Sequence, residues 1–99
     1  MPEFILMTRL SADGLRSGVN AEAHEERALE RIASACPGVE WKHSYATLGQ
    51  YDFLDIFSAP DLETAMRVSA LMRTLGRSYS EVWPAIPRKE FRAIIRAMA

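Results

Sequence analysis

The chain lacks most of the features that announce a function. Its single cysteine, Cys36, excludes a disulfide framework and a cysteine-built zinc site. No apolar run approaches the roughly 20 residues that a membrane-spanning helix needs. The opening Met1-Pro2-Glu3 does not read as a signal peptide, so a cytoplasmic protein with no membrane partner is expected. Neither sign of charge is in excess: 12 basic residues face 13 acidic ones, and no charge block leaves an electrostatic footprint for nucleic acid. There is no HExxH, paired CxxC, EF-hand or glycine-rich phosphate loop, and His24, His43 and Cys36 share no metal-ligand spacing. No metal or cofactor is therefore expected. What remains is an ordinary globular composition, 48% hydrophobic and 25% charged, in 99 residues. That length accommodates one domain over residues 1–99 and a modest core.

Periodicity supplies the elements. Residues 3–10 (EFILMTRL) are an apolar run of strand formers, and 11–18, with two glycines, read as a loop. Asn20 is a plausible N-cap for a helix over 21–36, whose apolar positions are Ala28, Leu29, Ile32, Ala33 and Cys36; Pro37-Gly38 ends it. Residues 39–47 alternate as a strand, 48–50 connect, and 51–58 return as its hairpin partner. Asp61 caps a second helix with the inner stripe Leu62, Ala65, Met66, Ser69 and Met72, widened by Val68, Leu71 and Leu75 and stopped at Gly76. Residues 78–86 form a fourth strand, which Pro84 confines to a sheet edge. A tail helix over 88–98 carries Phe91, Ile94, Ile95 and Met98 on one stripe. The order βαββαβ plus a tail helix predicts an α+β, ferredoxin-like sandwich with a four-stranded antiparallel sheet in the order 4-1-3-2 and both main helices on one face.

The other face is the informative one. Alternation gathers Trp41, His43, Tyr45 and Thr47 with Tyr51, Phe53, Asp55 and Phe57, and with Tyr79, Glu81 and Trp83. Leu54, Ile56, Val82 and Ile86 fall in the alternate set and suit packing beneath helices. Seven aromatics on an open face exceed the apolar patch a soluble monomer tolerates. A second copy of the same face is the simplest cover, giving a homodimer with an enclosed interior. This reading uses a three-residue connection that pairs Thr47 with Tyr51. A two-residue Gly49-Gln50 turn would slide the register and put Lys42 and Ser44 beside the aromatics of strand three instead.

Thr8-Arg9-Leu10 with Gly14-Leu15, then Thr47-Leu48-Gly49-Gln50-Tyr51-Asp52, Ala59-Pro60-Asp61 and Glu90-Phe91 together resemble the GYD family of small bacterial domains. The resemblance spans most of the chain and implies a ferredoxin-like fold and a dimeric α/β barrel. It implies no reaction. Asp55, where an apolar or small residue is expected, and His43 depart from the pattern.

In the preferred register His43 and Asp55 stand opposite each other. A hydrogen-bonded pair would let His43 act as general base with Asp55 fixing its tautomer; the alternative is a structural pair that satisfies two semi-buried polar groups. The Tyr51 hydroxyl can donate to a ligand, whereas Gly49 supplies turn geometry and Asp52 caps backbone N–H groups or pairs with an arginine. Arg9 can clamp an anion or pair with Asp52 or Asp55. Trp41, Tyr45, Phe53 and Trp83 are dimer core or, if a cavity remains, ligand contacts. The expectation is a homodimer that binds a small, mainly apolar or aromatic molecule, with cofactor-independent proton transfer, isomerisation or mono-oxygenation drawn from fold analogy. The alternative is a non-catalytic sensing or assembly module whose aromatic face is filled by dimer packing alone.

Overall fold

Strand β1 (Glu3–Leu10) sets the phase of the whole sheet, because Phe4, Leu6 and Thr8 on one side of it are almost entirely buried. It is followed by helix α1 (Gly18–Ala35), β2 (Glu40–Ala46), β3 (Phe53–Ser58), α2 (Leu62–Thr74), β4 (Ser78–Ala85) and α3 (Arg88–Met98). The structure is a computed structural model that describes residues 1–11 and 18–99, with side chains from residue 22 onward in α1. The loop expected at 11–18, with Gly14 and Leu15, falls mainly outside the described residues. The four strands form one antiparallel sheet in the order β2-β3-β1-β4. This is the expected α+β, ferredoxin-like topology, and β4 with its Pro84 is an edge strand as the missing N–H requires.

The core lies between the Phe4 side of the sheet and the two main helices. Ala28, Ile32 and Cys36 come from α1 and its end, Ala65, Val68 and Met72 from α2, and Phe57 from β3. The i, i+4 spacing in α1 is as expected, although the helix starts earlier, so Asn20 lies inside it and is not its cap. In α2 the buried stripe is Thr64, Ala65, Val68, Ser69 and Met72, while Leu62 and Met66 face solvent. Asp61 caps α2 as expected, its Oδ1 accepting from the Thr64 N–H at 2.7 Å. Gly38 ends α1 at φ +87°, and a Cβ there would lie 2.8 Å from Pro60 Cγ, so this turn needs glycine twice over. At the hairpin the left-handed residue is Leu48 (φ 50°), not Gly49, which corrects the turn role expected of that glycine.

The hairpin register also needs correcting. Tyr45 pairs with Leu54, Ser44 with Asp55 and His43 with Ile56; a bulge at Lys42 then returns Trp41 to Phe57. The cause is β3's attachment to β1. The Asp52 N–H donates to the Thr8 carbonyl at 2.8 Å, and Asp52 Oδ2 accepts from the Leu10 N–H at 2.8 Å. Phe53 is thereby opposite Thr8, Asp55 opposite Leu6 and Phe57 opposite Phe4, all on the helix side. Three of the seven aromatics expected on the open face, Trp41, Phe53 and Phe57, therefore lie beneath the helices. Leu54 and Ile56, expected there, are on the open face instead.

Helix α3 is set apart. It has no buried residue and no extensive packing against the other described helices and strands, and the chain measures 52 × 30 × 18 Å.

Candidate functional site

On the open face, three rows run across the sheet: His43, Ile56, Ile5 and Trp83; then Tyr45, Leu54, Met7 and Glu81; then Arg9 and Tyr79. Tyr51, from the end of the hairpin, leans over the same surface. Glu81 is its hub. Its carboxylate accepts from the Tyr51 hydroxyl at 2.5 Å, the Tyr79 hydroxyl at 2.9 Å and Trp83 Nε1 at 3.0 Å. The bond from Tyr51, followed by those from Trp83 and Tyr79, holds the Glu81 carboxyl below its ordinary range. The same bond pushes the Tyr51 phenol up. Tyr51 meets Trp83 edge to face at 6.2 Å. The Arg9 guanidinium lies 5.3 Å from the Tyr51 ring centre and 5.5 Å from that of Tyr79, and its Nε donates to the Gln50 carbonyl. Arg9 pairs with neither Asp52 nor Asp55. Asp52 is a backbone clamp, one of the two roles foreseen for it.

Sequence reasoning missed Glu81. The signal was available: on alternate positions of β4, Glu81 sits between Tyr79 and Trp83, so both neighbours on its face carry a donor. The Tyr51 hydroxyl spends its donor on Glu81, where a bond donated to a ligand was expected.

His43 is on this face, stacked on Tyr45 with ring centres 6.1 Å apart. Asp55 is on the other. The expected His43–Asp55 couple is therefore separated by the sheet, a direct result of the one-residue shift in pairing.

Asp55 belongs to a second site. A cavity of about 540 Å³ opens between the middle of α1 and the β2–β3 ribbon, lined by Leu6, Leu29, Trp41, Ser44, Tyr45, Ala46, Phe53 and Met72 with two carboxylates, Asp55 and Glu25. Its volume lies within the ~300–1,000 Å³ of small-molecule sites. Burial raises the Asp55 carboxyl above its ordinary range, and its hydrogen bond with Ser44 partly opposes this. Glu25, nearer solvent, is raised by burial and by the negative charges of Asp55, Glu22 and Glu26. Of the aromatic ligand contacts expected, Trp41 and Phe53 border this cavity and Tyr45 reaches its rim while its ring stacks on His43 on the open face, to which Tyr51 and Trp83 also belong. Cys36 is a buried free thiol pushed up by burial, a core residue and no nucleophile. Among the described residues no group of three or more histidine, cysteine or acidic side chains is placed to hold a metal ion, and no helix is long and apolar enough to cross a membrane.

The Tyr51-Asp52 step that locks the hairpin to β1 lies within residues 4–95, which the model of the GYD domain matches. The chain belongs to the GYD domain family. Among curated proteins it is similar to the glutamine synthetase and cystathionine beta-lyase binding protein of Thermus thermophilus, 34% identical over 90 residues, 88% of this chain and 90% of that protein. No solved structure gives a significant match.

Proposed function

We propose that this GYD-domain protein is a homodimeric binding module that docks onto a partner protein. The observation that carries this is α3. Eleven residues are too few for a stable isolated helix in water, since about 12–15 are marginal even for favourable sequences. Yet α3 buries nothing, and Phe91, Ile94 and Ile95 are each about half exposed, with Met98 at 75%. Such a stripe is a helix-in-groove ligand. Its polar positions, Arg88, Lys89, Arg92 and Arg96 against Glu90, favour a groove with an acidic rim. The Thermus relative is named for binding two enzymes, which supports a protein partner for this chain too.

The open sheet face is a separate surface, and a second copy is its natural cover. Tyr45 (54%), Tyr79 (45%) and Trp83 (42%) stay exposed beside Ile5, Leu54 and Ile56. Four strands of this length span roughly 19 by 25 Å at ordinary strand spacing, a projected area a little over half the ~800 Å² per partner of a standard interface before the relief of the side chains is counted. Proton-transfer chemistry is not part of the proposal, because the His43–Asp55 couple it needed is divided by the sheet.

Sedimentation of the purified protein at micromolar concentration tests both surfaces, alone and with purified glutamine synthetase or cystathionine beta-lyase from the same source. The expected result is a dimer that co-sediments with a partner enzyme, and a Phe91→Asp/Ile95→Asp variant that stays dimeric but no longer co-sediments. A wild-type monomer overturns the dimer, and no loss of co-sedimentation in the variant overturns the role of α3.

A second reading, small-molecule binding, is favoured by the cavity beneath α1. That cavity is on the opposite side of the sheet from the open face, so pairing through the open face leaves it accessible.

A further inference from the structure

We infer that the cavity between α1 and the β2–β3 ribbon binds a small organic cation, an ammonium group carried on an apolar or aromatic body. The inference deepens the small-molecule reading and rests on it.

The shape of the site separates two chemistries. Leu29, Trp41 and Phe53 make walls that suit a hydrocarbon or ring, and the partly exposed indole of Trp41 offers a face to a cation. Asp55 and Glu25 supply negative charge at one place in that lining. None of the described lining residues is basic, and neither carboxylate takes part in a salt bridge among the described residues. Asp55 has Ser44 as its hydrogen-bond partner, and a single hydroxyl donor leaves most of the acceptor capacity of a carboxylate unused. A half-buried carboxylate in apolar surroundings with no cation beside it is costly. An ammonium group would supply the missing counter-charge and up to three donors, while its apolar body filled the rest of the cavity.

Position in the fold supports the same conclusion. Asp55 stands on a central part of the sheet, opposite Leu6 on one side and Ser44 on the other. A strand position facing the helices is where an aliphatic residue would give a tighter core. An acid there gains only the hydrogen bond with Ser44 in return for its burial. The raised carboxyl pKa values of Asp55 and Glu25 fit this arrangement. They also fix a sign: a bound cation favours the ionised carboxylates, so binding expels any proton they hold and weakens as the pH falls through their range.

Isothermal titration of the purified full chain at neutral pH tests the inference with three probes of one shape: 2-phenylethylamine, 2-phenylethanol and 3-phenylpropionate. The expected order is amine, then alcohol, then acid, with the amine about tenfold or more ahead of the alcohol through its charge-assisted bonds. In Asp55→Asn the amine's advantage should vanish while alcohol binding persists. Glu25→Gln, closer to solvent, should remove only part of it. Backbone NMR shifts on adding the amine should map to Ala46, Phe53 and Leu29. Equal affinity for amine and alcohol, or an advantage that survives in Asp55→Asn, would overturn the cation assignment and leave the small-molecule reading standing. Binding of none of the three probes would overturn both.

Discussion

Replacing Phe57 by alanine separates the two sides of the sheet. Phe57 is fully buried, stacked on Phe4 at 5.7 Å and tilted against Trp41 at 5.3 Å, in the middle of the core. Truncating a buried phenylalanine to alanine costs about 3–5 kcal/mol, the transfer energy of the ring plus the void it leaves. A domain of this size has about 5–15 kcal/mol in total, so the variant should be near the limit of folding. With a urea m-value of about 2 kcal/mol/M, the midpoint should fall by ~1.5–2.5 M, measured by far-ultraviolet circular dichroism at fixed protein concentration. Tyr45→Ala is the control from the open face. Tyr45 is 54% exposed, so its loss should change the unfolding free energy at low concentration, where dimer linkage is weak, by under ~1 kcal/mol. A Phe57→Ala protein with nearly unchanged stability but a weakened dimer would refute the register and return that ring to the open face.

Other outcomes follow from the same geometry. Trp83→Ser should lower the dimer association constant in sedimentation equilibrium while leaving the circular dichroism spectrum unchanged, because the ring is 42% exposed in one subunit and packs edge to face on Tyr51. Asp55→Asn should be more stable than the parent at neutral pH, since the native carboxyl is raised above its unfolded value of 3.8 and its ionised form is disfavoured in the fold. That gap should narrow as the pH falls through the raised pKa and close near pH 3.8, read from urea midpoints across the range; a gap that widens on acidification would reverse the assignment. Gly38→Ala should destabilise by about 1–2 kcal/mol from the left-handed backbone alone, with more from the clash with Pro60, as measured by thermal melting.

Much of the fold was legible from residue spacing. The boundaries of β1 and α3, the edge position of β4 and the Asp61 cap all follow from local chemistry that tertiary contacts do not override. The phase of the hairpin was not legible, because both alternations of β3 are plausible cores: Phe53 and Phe57 on one side, Leu54 and Ile56 on the other. Apart from Trp41, the sheet's aromatics sort by their polar handles. Phe4, Phe53 and Phe57, which have none, lie beneath the helices, while Tyr45, Tyr51, Tyr79 and Trp83, which carry a donor, lie on the open face. Grouping rings together without that distinction turned β3 over. The bulge at Lys42 hid the answer further, because it lets Trp41 keep the pairing of one register while Ser44 and Tyr45 follow the other. For the candidate site, Asp55 was visible as an acid out of place in a strand. Its neighbour Glu25 was not, because an acid on a charged helix face looks like any other solvated residue.

Asp52 has one more consequence. It fastens the hairpin to a strand that precedes it by some 42 positions in the chain, so the ribbon carries little instruction of its own about which side is which. A hairpin peptide cut out at residues 39–58 should drift between alignments, settling only when β1 is restored. Order in this ribbon is conferred from a distance, and long loops must close before it arrives.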